Sequence, residues 1–260
     1  MRANKLRGIL DAGRPAIGGW CTIPSSVSAE IVASLGFEYI CVDMQHGLMD
    51  FGGAVAMLQA ISGYETTPIV RVPVGNYGVA QRVLDAGAEG VIFPMTNTAA
   101  ETREAVAACR YAPVGKRSMG PVRSYLHLGE DTHNADAQVM CMVMIETVEA
   151  LANLDEILSV PGLDGVYVGP ADLGLSLGLE AGQDHPRRDE AIDQALGACR
   201  RHRIPAAIHT LSGRAARLAV ERGFAMASIS TDVAIMAAAY RAELEAAAEG
   251  RRGGPTAMSI

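Results

Sequence analysis

The chain has 260 residues, 49% of them hydrophobic but only 5% aromatic, with 28 glycines and 20% charged residues. That length is typical of one eight-stranded βα barrel of about 250 residues, and the apolar content supports a large aliphatic core, which excludes a disulfide-stapled mini-domain and a disordered chain. Its 22 basic and 29 acidic residues leave a formal charge of −7, which repels a phosphate polyanion, so no nucleic-acid partner is expected. No run approaches the roughly 18 apolar residues of a membrane span, and residues 1–13 carry charges where a secretory leader has its apolar segment. No membrane association and a cytoplasmic location are therefore expected. Cys21, Cys41, Cys109, Cys141 and Cys199, an odd number without a C-x-x-C pair, read as small buried thiols in a reducing compartment.

Along the chain, short β-rich apolar runs alternate with Ala-rich helical stretches, the pattern of βα units around a parallel sheet. Strands are predicted at 16–22, 39–43, 68–72, 90–93, 139–145, 165–168, 206–208 and 226–229, and most lack polar alternation, as strands covered on both faces do. Between them the first helix is predicted to start at Ser26, as cap, with Glu30 in its first turn. Further helices are predicted at 53–61, 78–86, 99–109, 148–158, 188–202, 213–222 and 233–248. The fold class is thus α/β, a single-domain (β/α)8 TIM barrel over residues 1–249, with a disordered tail at 250–260. Two segments exceed a short connection. Residues 172–187 follow a strand and belong to the functional rim; residues 111–138 precede one, which puts them on the opposite face unless the segment contains an extra element or crosses over.

Four predicted strands end in ionisable residues that a packed barrel interior does not need: Asp43-Met44-Gln45-His46-Gly47, Arg71-Val72-Pro73, Ile145-Glu146-Thr147 and Gly169-Pro170-Ala171-Asp172. Glu146 and Asp172, on consecutive strands and without paired Cys or His, favour a hard divalent cation, Mg²⁺ or Mn²⁺, with Co²⁺ as a further candidate. The bland alternative is that each acid caps the helix after it. Arg71 cannot lose its proton and must meet an anion, either a substrate oxyanion or Asp43. His46 is the natural proton carrier of the group. His209 ends the seventh strand and is a weaker candidate for lining the mouth. The only lysines, Lys5 and Lys116, fall outside the strand ends, which argues against Schiff-base chemistry.

These residues, in this order, resemble the HpcH/HpaI aldolase family of the phosphoenolpyruvate/pyruvate barrel superfamily. The resemblance also runs through Gly19-Trp20, Gly36-Phe37-Glu38-Tyr39, Leu84-Asp85-Ala86-Gly87-Ala88-Glu89-Gly90, Phe93-Pro94-Met95 and Tyr111-Ala112-Pro113. It implies a divalent-metal-dependent class II aldolase, a carbon–carbon lyase that reversibly cleaves 4-hydroxy-2-oxo acids to pyruvate, or a close analogue, and an aldehyde. By the same resemblance Glu146 and Asp172 are metal ligands, His46 is the acid/base and Arg71, beside Asp43, steadies the enolate. Ala171 and Asp172 contact substrate, within the motif that begins at Gly169 and Pro170. Asp85 matches a carboxylate that reaches the histidine from a neighbouring subunit, in a homo-oligomer, hexamer or trimer, with an exchanged C-terminal helix drawn from 233–248.

Two departures bear on substrate. Gln45 stands where the family often has Glu, and Met144 where several members have Gln; residues 117–123 look like a subgroup variant of the loop shaping the aldehyde pocket. Rival readings keep the enolate site but change the reaction, to oxaloacetate decarboxylation or cleavage of a CoA thioester. A rival of another class is a catalytically silent oligomeric binding barrel, which has no reason to bind oxalate only when Mg²⁺ is present.

Overall fold

The computed structural model describes residues 3–120, 122–128, 131–180, 182 and 184–249; the expected tail at 250–260 lies outside the described residues. The first half runs α1 (Lys5–Asp11), β1 (Ala16–Cys21), α2 (Ser26–Ala33), β2 (Tyr39–Asp43), α3 (Phe51–Ile61), β3 (Thr67–Arg71), α4 (Tyr77–Asp85), β4 (Gly90–Phe93) and α5 (Ala99–Cys109). The second runs α6 (Tyr125–Leu128), α7 (Thr132–Gln138), β5 (Met140–Ile145), α8 (Val148–Ala152), α9 (Leu154–Leu158), β6 (Gly165–Val168), α10 (Pro170–Ser176), α11 (Pro186–His202), β7 (Ala206–Thr210), α12 (Gly213–Arg222), β8 (Met226–Ile229) and α13 (Asp232–Glu249). The strands pair in parallel in chain order, and β8 closes on β1. This is the expected (β/α)8 barrel.

The strands look uniformly apolar because both faces are buried, yet they alternate strictly. Tyr39, Cys41, Ile69, Ile92, Met140, Met142, Met144, Tyr167, Ala207 and Met226 join Trp20 in the barrel interior. Ile40, Val42, Val70, Val91, Val143, Val166 and Val168 instead face the helices. Gly18, opposite Tyr39 in the register, makes room for that ring: a Cβ there would lie 2.1 Å from Tyr39 Cζ.

Several details differ from the sequence expectations. Ser25, not Ser26, caps α2, accepting from the Ser28 amide at 3.2 Å. The predicted helix at 148–158 is broken at Asn153 into α8 and α9; the Asn153 side chain donates to the Asn97 carbonyl at 2.9 Å. The short helices α1, α6, α7 and α10 had no sequence signal strong enough to predict them. α1 seals the N-terminal end of the barrel: Leu6 is fully buried in the interior cluster, and the Asn4 side chain donates to the Glu89 and Gln138 carbonyls. The long 111–138 segment also lies at that end, since the Arg123 and Ser124 amides both donate to the Asp85 carbonyl at 3.0 Å.

Candidate active site

The inward parity of each strand decides what faces the mouth at its C-terminal end. Continuing the interior series Tyr39–Cys41, Ile69, Met140–Met142–Met144, Tyr167 and Ala207 by one step gives Asp43, Arg71, Glu146, Gly169 and His209. Asp43 and Arg71 are direct register partners. Arg71 donates from Nε to Asp43 Oδ1 at 2.9 Å and from Nη2 to Oδ2 at 2.5 Å, a fork that fixes the guanidinium plane. The Trp20 indole donates to Asp43 Oδ2 at 3.0 Å and lies under the Arg71 cation, 5.0 Å from ring to guanidinium. Burial pushes the Asp43 carboxyl up, but the Arg71 hydrogen bonds and charge outweigh it and hold the pKa below the usual value. Of the two partners expected for Arg71 the structure shows Asp43, which takes Nε and Nη2, while Nη1 faces Met144 Sδ at 3.9 Å. The turn after β2 is tied to the same carboxylate through the Gln45 and His46 amides. It leaves the His46 side chain exposed and Gln45 Oε1 buried without a donor among the described residues.

Glu146 is 1% exposed. Its Oε1 accepts from the Met95 amide at 2.7 Å, which is presented by a backbone turn holding Met95 at φ 53°, an uncommon conformation for a non-glycine residue and a frequent mark of functional sites. Its Oε2 lies over Gly169, where a Cβ would come within 2.4 Å. Burial pushes the Glu146 pKa up to about 7; the Met95 hydrogen bond opposes this, the nearby Asp172 charge adds to it and Arg71 opposes it. Asp172 sits in the first turn of α10, and Gly169, the residue that caps its start, has no side chain to do so. Among the described residues no group of three or more His, Cys, Asp or Glu forms a cage. Two close carboxylates, one buried and short of positive charge, fit a hard divalent cation that keeps positions for water and substrate oxygens.

Asp85 stands apart. At the end of α4 it lies at the N-terminal end of the barrel, accepting from Arg117 Nη2 at 2.8 Å, so within one chain it does not meet His46. Trp20, the Met95 amide and Ser228 were not singled out as site residues from sequence. Trp20 and Met95 lie in motifs quoted for the resemblance, and His209 carried only the signal of its strand end. Pro170, Ala171, His209 and Thr210 help line a cavity of about 400 Å³ between α10, α11 and α12.

Residues 17–239 match the family model described as HpcH/HpaI aldolase/citrate lyase. The hydroxypyruvate/pyruvate aldolase of Rhizorhabdus wittichii is 41% identical over 92% of this chain and 96% of its own. The 4-hydroxy-2-oxo-heptane-1,7-dioate aldolase of Escherichia coli is 34% identical over 92% of this chain and 93% of its own. Among solved structures, an HpcH/HpaI aldolase/citrate lyase family protein from Burkholderia cenocepacia superposes with a TM-score of 0.87 at 30% identity, covering 94% of this chain and 99% of that one. With a match spanning almost the whole barrel and every polar strand end, the chain belongs to the HpcH/HpaI aldolase/citrate lyase family.

Proposed function

We propose that the protein is a class II aldolase cleaving a 4-hydroxy-2-oxo acid between C3 and C4 to pyruvate, or a close analogue, and an aldehyde. The observation that carries this is the buried Glu146 carboxylate beside Asp172, in the same mouth as an arginine whose fork is already fixed. A divalent cation held by Glu146 and Asp172, Mg²⁺ or Mn²⁺ from the oxygen-only donor set, supplies Lewis-acid polarisation of the oxo acid. Arg71, immobilised by Asp43, directs Nη1 at the oxo oxygen, where negative charge grows as the C3–C4 electron pair moves onto pyruvate as its enolate. His46 takes the 4-hydroxyl proton as the aldehyde leaves, and the enolate C3 then takes one proton from solvent to give pyruvate as His46 returns its own to solvent. The backbone of Gly169, Pro170 and Ala171 forms the wall against which the oxo acid lies. The test is pyruvate release from a panel of 4-hydroxy-2-oxo acids. EDTA abolishes it and Mg²⁺ or Mn²⁺ restores it; full activity after chelation overturns the proposal.

The same proposal assigns Asp85 to the His46 of a neighbouring subunit. Asp85 is bonded to Arg117, Arg123 and Ser124 at one end of the barrel, in a segment that exposes Met119, Val122 and Leu126, and His46 and Leu48 are exposed at the other. Joining such ends buries both. The C-terminal helix supports a homo-oligomer independently. Asp232 anchors its start through the Thr22 amide and hydroxyl, at 2.8 and 2.7 Å, but residues 233–247 are all exposed, including Ile235, Met236, Tyr240 and Leu244. Meanwhile Pro15, Ile17, Ala216, Val220 and Ile229 line an open groove beside β1 and β8, suited to a helix exchanged from another copy. A cytoplasmic location accords with five cysteines, all free and buried, and among the described residues no helix is long and apolar enough to cross a membrane.

A further inference from the structure

We propose that His209 is a specificity-determining residue: a neutral hydrogen-bond donor, fixed as its Nε2–H tautomer, that recognises a hydroxyl oxygen on C3 of the 2-oxo acid released by cleavage. The proposal rests on the aldolase reading and narrows its substrate class to oxo acids whose enolate-forming half carries that hydroxyl.

The tautomer follows from a chain of buried groups. Tyr39 OH and Tyr167 OH are 2.9 Å apart, the Tyr167 hydroxyl is hydrogen-bonded to Ser228, and Ser228 Oγ is 2.8 Å from His209 Nδ1. Each hydroxyl has one proton to donate. Tyr39 is fully buried, and Tyr167 is the one side-chain partner its hydroxyl has among the described residues. Were the chain to run from His209 towards Tyr39, the last phenolic proton would be buried without an acceptor, at a cost on the order of 1–3 kcal/mol. The satisfied direction runs the other way: Tyr39 donates to Tyr167, Tyr167 to Ser228 and Ser228 to Nδ1. The ring proton is then on Nε2, which has no partner among the described residues. Burial, with the Arg71 charge adding, pushes the His209 pKa down to about 4, so the ring stays neutral at physiological pH and acts as a donor rather than an acid/base.

Position selects the oxo-acid half of the substrate. The His209 ring packs edge-on to Trp20, centroids 5.0 Å apart, and Trp20 lies against Arg71. His209 and Arg71 thus share Trp20 as a neighbour, and an oxo acid whose keto oxygen meets Arg71 lies in the same mouth as His209. His209 lines a cavity together with Pro170, Ala171 and Thr210, which leaves room for a C3 substituent. A site that donates a hydrogen bond to a substrate hydroxyl discriminates against the analogue lacking it.

The experiment measures kcat/KM for hydroxypyruvate and for pyruvate, with one aldehyde, in the synthetic direction, alongside long-range ¹⁵N–¹H spectra of the histidines. The wild type shows the His209 proton on Nε2. In His209→Leu the hydroxypyruvate-to-pyruvate ratio falls ~10-fold, whereas His209→Asn, which keeps an N–H donor, holds it within about threefold. Ser228→Ala frees Nδ1 without altering the ring, and lowers the ratio by about threefold while the tautomer signal becomes mixed. A proton on Nδ1 in the wild type, or a ratio unchanged in both His209→Leu and Ser228→Ala, overturns the proposal and leaves the aldolase reading intact. Absence of turnover with either donor in the wild type overturns both.

Discussion

Gly169→Ala isolates one contact at the centre of the site. Gly169 has φ −103° and ψ 91°, backbone that alanine adopts freely, so conformational strain plays no part. The added methyl would lie 2.4 Å from Glu146 Oε2 and 3.1 Å from both Glu146 Cβ and Met144 Cε. Ordinary contact begins near 3.4 Å, so Oε2 must retreat by about 1 Å. The carboxylate has little freedom to do so, because Oε1 is held by the Met95 amide at 2.7 Å and that amide is presented by a turn with φ 53°. Overpacking of this kind costs about 1–3 kcal/mol, and at roughly 2–4 °C per kcal/mol the melting temperature falls by several degrees. The larger effect is on chemistry, since a displacement of about 1 Å in a positioned group lowers turnover by ~10²-fold. Calorimetry reads the first, and Mn²⁺ titration with pyruvate release reads the second. Gly174→Ala, inside α10, is the control: its methyl would meet only Arg188 Cδ, at 3.6 Å, so turnover stays at the wild-type value and stability does not fall. Wild-type Mn²⁺ affinity and rate in Gly169→Ala would refute the assignment of Glu146 as a ligand.

Arg71→Lys keeps the charge but loses the fork to Asp43, so kcat falls ~10²-fold while Mn²⁺ affinity is retained; a rate within threefold of wild type removes Arg71 from the mechanism. Asp43→Asn leaves a buried guanidinium without its counter-charge and destabilises the fold by about 3–5 kcal/mol, read by denaturant unfolding. His46→Ala and Asp85→Asn, each inactive alone, regain activity when their subunits are dissociated, mixed and reassembled, because some mouths then pair an intact His46 with an intact Asp85; no recovery argues against a shared site. His209, with its folded pKa lowered to about 4, contributes stability that is complete above pH ~6.5 and is lost as pH falls towards 4, because the unfolded chain takes up the proton first. The loss is on the order of 3 kcal/mol, and it lies above the range in which Asp43 is protonated. Glu146, whose pKa is raised to about 7, acts in the opposite sense over the same window, so the His209 contribution is read as the wild-type minus His209→Leu difference in urea midpoint, which falls between pH 7 and 4.

The barrel is legible in the sequence because eight apolar runs and eight Ala-rich stretches leave few other ways to bury so much aliphatic surface. The candidate site is legible to the extent that charge at the end of an apolar strand is conspicuous: Asp43, Arg71, Glu146 and Asp172 stand out for that reason. Uncharged contributors do not. Met95 acts through a backbone amide, Gly169 through the space its missing side chain leaves, and Trp20 looks like core, so residue chemistry alone marks none of them. Parity is hidden too. With both faces of each strand apolar, whether His209 points inward with Ala207 or outward with Ile208 depends on where the alternation begins, which emerges only from the barrel's register.

The same gap explains the long 111–138 segment, whose place at the N-terminal end is set by Arg123, Ser124 and Arg117 reaching Asp85 across tens of residues of chain. Arg117 has no side-chain exposure, and its Nε and Nη1 are buried without acceptors among the described residues. A guanidinium in that state leans heavily on its one carboxylate partner, so Asp85 is held at a fixed position and angle while a quarter of its side chain stays exposed. Neutralising that guanidinium is what Asp85 does for its own chain. In the proposed shared site the same fixed carboxylate, at the end of the molecule opposite the exposed His46, meets that histidine when the mouth of one barrel closes on the base of the next.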